Sequence, residues 1–497
     1  IKGAYITLVT PSLGTVSTNI TVQGVGFNKN GTVTIHFGTS YTIAAVKAQA
    51  TGTFSTSFKI DTQPLGTTTI TAVSQSESDT DLFCIIPNII SRNPTQGTVN
   101  TIITVQGTGY TDYGTVSIDF GTHQTITTTQ ASPNGTFSVT FLISTQPYGS
   151  KTITARDITK PYSYTWQSAV SLIQDIPIFW PTSGVVGSPI TITGTGFKQN
   201  ETIVIDFGTH KTITTTTTNP INGTFSVTFL VSTLPYASSG ELADGTDTVI
   251  KAPSFSPQVK TYYIRSNVSA VVPLSGYIGS WITVQGTGYR AAATDTLWIY
   301  SDFGSDNLPA IGYKDNRSHY ESNCGTFSIP FQIPWDPADN DRIADPTYGT
   351  KSIRVWDSAK VGRVEATGSF IIIGRITSVY PTAGMAGQIV TVIGDGYKGI
   401  ETIQIDFGTH YTIATTIAST RGTFSTTFKV DTQSSGTQPI TATGLESVLE
   451  LINSPFMTNV FRITGKICLV LPESGIVGSE VTVEGAGFQE NETVTVH

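Results

Sequence analysis

Six times along this chain a Pro–x–x–Gly turn is followed, 13 residues after its proline, by Gly–x–Gly–Phe/Tyr. The prolines are Pro11, Pro94, Pro181, Pro273, Pro381 and Pro472, and the glycines are Gly24, Gly107, Gly194, Gly286, Gly394 and Gly485. Twelve residues further on, His36, Asp119, Asp206 and Asp406 stand before Phe–Gly. Asp302 reaches that place four residues late, and His497 holds it in the last copy. A Gly–Thr–Phe triplet then follows at Gly52, Gly135, Gly223, Gly325 and Gly422. A period of 83 to 108 residues is too long for a solenoid turn and right for a small domain, so the chain reads as an array of independent cores. The repeats are placed at 1–86, 87–174, 175–265, 266–373, 374–465 and 466–497. The sixth stops inside "ETVTVH", in mid-strand, and the chain is expected to be a fragment of a longer protein.

Composition narrows what such domains can be. The chain has 497 residues, a net charge of −8, a pI near 5.3 and only 12% charged residues. No basic run is present, which argues against nucleic acid as a partner. No apolar run reaches the roughly 18 residues that span a bilayer. The chain opens at Ile1 without Met, and a processed or trimmed N-terminus is expected. Cys84, Cys324 and Cys468 lie in unrelated contexts and cannot give each domain a disulfide framework. Cys84, in "DLFCIIP", is expected to be a buried thiol.

Thr, Val and Ile punctuated by Gly, Pro and Asn read as all-β. In the second repeat, strands are expected in "TIITVQGTGY", "GTVSIDF", "HQTITTT", "GTFSVTFLI" and "KTITARD". Phe137, Val139, Phe141 and Ile143 alternate onto one face, whereas Leu142 breaks the pattern. About seven short strands in about 90 residues suggest a two-sheet, immunoglobulin-like β-sandwich. Connections such as "VSLIQDIPIFWPTSG" are short, so the tandem array is expected to form an elongated rod. At ~3.3 Å per residue in strands, each domain would measure roughly 35–40 Å and the whole roughly 200 Å.

The stretch "ITSVYPTAGMAGQIVTVIGDGYKGIETIQIDFG", residues 376 to 408, resembles the opening half of an IPT/TIG domain, an immunoglobulin-like family. Its marks are the Pro–x–x–Gly turn, an apolar strand, Gly–x–Gly–Phe/Tyr and a strand ending in Phe–Gly. Five copies match that half, and the sixth matches until it stops. The resemblance implies a β-sandwich fold and an extracellular or cell-surface setting, in arrays similar to prokaryotic stalks, adhesins and S-layer proteins. It implies no activity.

Several residue groups could carry chemistry. "DFGTH" recurs with Asp119 and His123, Asp206 and His210, and Asp406 and His410. Across a turn such pairs could form a weak metal site, an acid–base pair, a cross-strand hydrogen bond, or simply solvated turn residues. The first repeat has His36 and Ser40 instead, and the fourth has Asp302 and Asp306, with no nucleophile in any copy. Gly–x–Gly–Phe/Tyr lacks the third glycine and the following helix of a phosphate loop. It reads as a turn with a core aromatic.

Asn–x–Ser/Thr sequons occur at Asn19, Asn30, Asn134, Asn200, Asn222, Asn267, Asn316 and Asn491. Asn30, Asn200 and Asn491 fall in the same loop, and an exposed loop tolerates a glycan. Acidic insertions supply Glu241, Asp244 and Asp247 in the third repeat and Asp336, Asp339, Asp341 and Asp345 in the fourth. Clustered carboxylates at turns suit Ca²⁺, although the spacing is not that of an EF-hand. The fourth repeat also holds Trp281, Trp298, Trp335 and Trp356, and Trp335 is the candidate for stacking on a sugar ring.

The sequence therefore favours a non-enzymatic extracellular structural protein. Its partners would be copies of itself or surface glycans. An adhesin or carbohydrate-binding stalk, or the accessory array of an extracellular hydrolase, is the alternative.

Overall fold

The computed structural model describes residues 3–160, 165–233, 246–289, 297–301, 310–315, 320–321, 325–333, 348–357, 366–446 and 458–497. Every regular element among them is a β-strand, and no helix there is long and apolar enough to cross a membrane.

The first repeat shows how the sequence makes the fold. Its strands are β1 (Tyr5–Thr10), β2 (Leu13–Gly14), β3 (Asn19–Val25), β4 (Thr32–Phe37), β5 (Ser40–Lys47), β6 (Phe54–Lys59), β7 (Gly66–Ser74) and β8 (Glu77–Ile85). They form two sheets, in orders β1–β3–β6 and β2–β8–β7–β4–β5. Neighbours are antiparallel except β2, which runs parallel to β8. The chain crosses between sheets at Pro11, where the Thr10–Pro11 peptide is cis, and the other five repeat-opening prolines are cis as well. Two facing sheets with this crossover make an immunoglobulin-like sandwich.

Period-two alternation fills the core. Ile20 and Val22 from one sheet, with Phe54 and Phe58, meet Val33, Ile35, Phe37, Ile70, Phe83 and Ile85 from the other. Phe37 lies edge-on to both Phe58 and Phe83. The same alternation corrects one expectation: Cys84, between buried Phe83 and Ile85, is on the outer face and half-exposed.

The repeated glycine motif has a packing cause. A Cβ on Gly24 would lie 2.4 Å from Phe54 Cε1 and 2.8 Å from Phe27 Cε2. The glycine therefore clears space for the edge-on pair Phe27–Phe54, whose centroids are 5.0 Å apart. Tyr110–Phe137, Phe197–Phe225, Tyr289–Phe327 and Tyr397–Phe424 repeat it at 4.9 to 5.3 Å. Gly–x–Gly–Phe/Tyr and Gly–Thr–Phe are thus two halves of one aromatic contact, worth about 1 kcal/mol beyond its buried area.

The second and fifth repeats have the same two sheet orders. The fourth adds Tyr320–Glu321 to its smaller sheet, and the sixth consists of Lys466–Leu471 paired with Thr482–Ala486. By internal contacts the chain divides into two compact units. One is Ile1–Thr182 with Pro189–Phe229 and Asp247–Lys260; the other is Ser183–Ser188 with Leu230–Thr246 and Thr261–His497. Within the first unit the third repeat contributes the antiparallel pairing of Thr202–Phe207 with His210–Thr217.

Candidate functional site

The "DFGTH" turns bring an Asp and a His close together in sequence in three repeats. In the second repeat Phe120 pairs with His123 across the turn, and a register shift lies between Ile118 and Phe120. That irregularity leaves Thr125 at a φ of 51°, and its amide donates to Asp119 Oδ1 at 2.7 Å. Arg156 Nη2 donates to the same oxygen at 2.8 Å. His123 instead meets the Ser144 hydroxyl through Nδ1 at 3.1 Å.

The other repeats divide these residues in the same way. Asp206 accepts from the Thr212 amide at 2.9 Å and pairs with Lys251; Asp406 accepts from the Thr412 amide at 2.7 Å. In the first repeat His36 replaces the aspartate, and its Nδ1 accepts from the Thr42 amide at 2.9 Å. His410 contacts Asp431, not Asp406. In place of the cross-strand Asp–His bond, one of the alternatives for these turns, the acceptor is a cap: each satisfies the amide of a left-handed threonine. A capped amide explains why His36 substitutes for Asp, since only an acceptor is required.

A second anchor of this turn was missed in the sequence. Gln146, 1% exposed, donates through Nε2 to the Phe120 carbonyl at 3.0 Å and accepts from the Thr122 amide at 3.1 Å. Gln433 makes the same pair of bonds to the Phe407 carbonyl and the Thr409 amide, at 2.9 and 3.2 Å. Gln63 occupies the place in the first repeat, with Thr39 as its partner. The signal was present as a Thr–Gln pair at 62–63, 145–146 and 432–433.

The loops that carry Gln63, Gln146 and Gln433, and the one that carries Tyr348, also reach the next repeat. The Leu65 amide donates to the Tyr110 carbonyl at 2.9 Å, Tyr148 to Phe197 at 3.0 Å, Tyr348 to Tyr397 at 3.1 Å and Ser435 to Phe488 at 3.1 Å. The acceptor is always the aromatic of Gly–x–Gly–Phe/Tyr. Its own amide is tied to the Gly–Thr–Phe glycine, as in Tyr110 to Gly135 at 3.0 Å. A Cβ on Gly135 would lie 2.5 Å from the Tyr110 carbonyl oxygen and 2.7 Å from Pro64 Cα of the preceding repeat. Only two residues separate the last strand of one repeat from the first strand of the next, as in Glu77–Ile85 followed by Asn88–Asn93. The fourth-to-fifth junction adds charge. Arg375 pairs with Asp395 at 3.0 Å and lies 5.7 Å from the ring centre of Tyr277. Burial raises the Asp395 carboxyl above its ordinary range despite that arginine.

Three further carboxylates hold loops. Asp157 accepts from the Thr111 and Thr159 amides at 2.8 and 3.1 Å, and Glu201 from the Ser254 amide and hydroxyl at 2.6 and 2.7 Å. Glu401 accepts from the Lys398 and Glu446 amides. Burial, with the Asp157 carboxylate, pushes the Tyr110 phenol well up and keeps it protonated. Burial, with Glu401 and Asp395, does the same to Tyr397, whose hydroxyl donates to the Ala442 carbonyl at 3.1 Å. A shallow groove of about 600 Å³ on the second repeat is lined by neutral residues, among them Tyr113, Gln106, Gln130 and Ser138.

The other sequence-predicted residues fall as follows. Glu241, Asp244, Trp335, Asp336, Asp339, Asp341, Asp345 and Asn316 lie outside the described residues. Asp247 is in the strand Thr246–Ala252, and its side chain lies outside the description. Among the described residues no three His, Cys, Asp or Glu side chains are gathered to hold a metal. Asn30, Asn200 and Asn491 are exposed at turns; Asn267 begins the strand Asn267–Val272 and is half-buried. Asn134 accepts from Ser132 and Thr136, and Asn222 from the amide and hydroxyl of Thr224.

No family profile and no curated protein matches this chain. Among solved structures it is similar to Escherichia coli alpha-2-macroglobulin activated by porcine elastase, at 10% identity and a TM-score of 0.16. It covers 94% of itself there and spans only 55% of that protein. It is also similar to a tetra-tandem repeat in the extending region of a large adhesion protein, at 13% identity and a TM-score of 0.20, covering 92% of this chain and 97% of that one. Invasin, a bacterial integrin-binding protein, is a third, at 14% identity and a TM-score of 0.20, over 75% and 81% of the two chains.

Proposed function

We propose that this chain is a non-enzymatic structural protein of the cell surface, with repeats of IPT/TIG type, that builds or supports an extracellular layer, sheath or filament through contacts between copies. The observation that carries this reading is the hydrogen bond made in the same way at four junctions: Leu65 to Tyr110, Tyr148 to Phe197, Tyr348 to Tyr397 and Ser435 to Phe488. A recognition protein needs one well-made site, whereas a mechanical spacer needs every joint made alike. The same economy applies to the acids and amides that could have done chemistry. Asp119, Asp157, Glu201, Glu401 and Gln146 are each committed to a backbone partner.

The test is electron microscopy of the native material with and without a calcium chelator. Ordered sheets, tubes or filaments are the expected result. Dispersed single chains under both conditions would overturn it.

One observation favours a second reading, a carbohydrate-binding stalk. Trp180 and Tyr380, 71% and 76% exposed, end corresponding strands in the third and fifth repeats, opposite Thr191 and Thr391. An exposed ring beside a threonine hydroxyl suits a sugar face. Glycan binding lost in Trp180→Ala and Tyr380→Ala would favour that reading.

A further inference from the structure

We infer that Asn30, Asn200 and Asn491 are N-glycosylated and that Asn134 and Asn222 are not. The two groups share the Asn–x–Thr sequence but differ in what the carboxamide does. Asn134 Oδ1 accepts from the Ser132 hydroxyl and from Thr136 Oγ1 at 3.0 Å, and Asn222 Oδ1 accepts from Thr224 Oγ1 at 2.8 Å. In each case the threonine is the one that completes the sequon, so both motif groups are bonded to each other inside a tight loop. Neither motif group is presented to a transferase unless that loop opens, and a glycan on Nδ2 would crowd the Gly–Thr–Phe turn beneath it.

Asn30, Asn200 and Asn491 occupy one recurring turn, with φ of 57°, 54° and 60°. Tyr113 and Ile400 hold the same position in the second and fifth repeats, at 52° and 65°, and are 61% and 67% exposed. The position thus carries a bulky side chain outside the sandwich in two repeats and an exposed asparagine in three. The left-handed backbone alone favours Asn here. The threonine two residues on, Thr32, Thr202 or Thr493, is matched by Thr115 and Thr402 where there is no sequon. The sequon by itself therefore decides nothing, and exposure does not either, since Asn134 is also exposed at a turn; the bond between carboxamide and sequon threonine separates the two groups. Phe197 and Phe488, three residues before Asn200 and Asn491, are junction acceptors, which sets each glycan beside a joint between repeats.

The donor is a sugar carried on a lipid phosphate. The asparagine Nδ2 forms a bond to the anomeric carbon, the bond from that carbon to the phosphate oxygen breaks, and the lipid phosphate and one amide proton are released.

This inference rests on the extracellular location proposed above, and the experiment separates the two. The protein is isolated from its native cells after surface labelling, and its peptides are weighed by mass spectrometry. Surface-labelled protein with sugar-sized additions on at least two of Asn30, Asn200 and Asn491, and unmodified Asn134 and Asn222, is the expected result. Surface-labelled protein bare at the three, or modified at Asn134 or Asn222, overturns the assignment and leaves the location standing. Unlabelled, bare protein overturns both.

Discussion

The Leu65 amide of the first repeat donates to the Tyr110 carbonyl of the second across 2.9 Å. Tyr110 also anchors its own repeat's aromatic pair with Phe137. One residue therefore packs a core on its side-chain face and a joint on its backbone face. Gly135→Ala should damage the joint. Its φ of 76° already costs a side chain about 1–2 kcal/mol, and the new methyl would meet Pro64. Limited proteolysis at residues 86–87 should accelerate, and Leu65→Pro, which removes the donor, should have the same effect. Unchanged cleavage in both variants would show that the hydrogen bond does not hold the joint.

Gln146→Leu keeps the volume but leaves the Phe120 carbonyl and the Thr122 amide without their partner. At about 1–3 kcal/mol for each stranded group, the second repeat should lose about 3 kcal/mol in urea unfolding. A loss below about 0.5 kcal/mol would mean that water replaces the side chain.

Asp119→Ala and His123→Ala should differ sharply. The first strands the Thr125 amide and Arg156 and should cost about 2 kcal/mol; the second gives up a surface contact with Ser144 and should cost under about 0.5 kcal/mol. Equal losses from a single coupled unit, measured by a double-mutant cycle, would restore the Asp–His pair.

The third repeat should weaken in acid. Burial pushes the Asp206 carboxyl up, but Lys251, the Thr212 amide and Lys211 outweigh it and hold the group below its usual 3.8. A carboxyl depressed by folding stabilises the fold above its unfolded pKa and loses that contribution as pH falls through the folded one. Stability should therefore drop below about pH 4, and Lys251→Met should flatten the drop. The measurement is urea unfolding of the whole chain at several pH values, followed through the third repeat.

The acidic insertions, with Glu241, Asp244 and Asp247 in one and Asp336, Asp339, Asp341 and Asp345 in the other, are proposed Ca²⁺ ligands on composition. Added Ca²⁺ should raise Tm by several degrees and EDTA should reverse it. An unchanged Tm in both would remove calcium from the account.

The period of the repeat, the all-β class and the sandwich were legible in the sequence, because alternation and turn residues are local signals. Phe137 and Phe141 face inward and Leu142 outward, as their spacing requires. The same signal, properly followed, places Cys84 outside, since Phe83 and Ile85 cannot be buried with it on one face. The apolar neighbours of Cys84 outweighed its register in the sequence reading.

Tertiary structure alone decided what the polar residues do. Asp119 and His123 are four residues apart in sequence, yet their partners, Arg156 and Ser144, come from strands and loops 37 and 21 residues away. A hydrogen bond depends on position to a fraction of an ångström, and no periodicity carries that information. Gln146 was passed over for the same reason: an amide in a Thr–Gln–Pro loop looks solvated until the turn it supports closes over it. The sequence by itself determined the β class and which faces are apolar, since burial follows from pattern. Which acids cap, which glutamines clamp and how one repeat is fastened to the next were settled only when folding brought distant backbone groups within bonding distance.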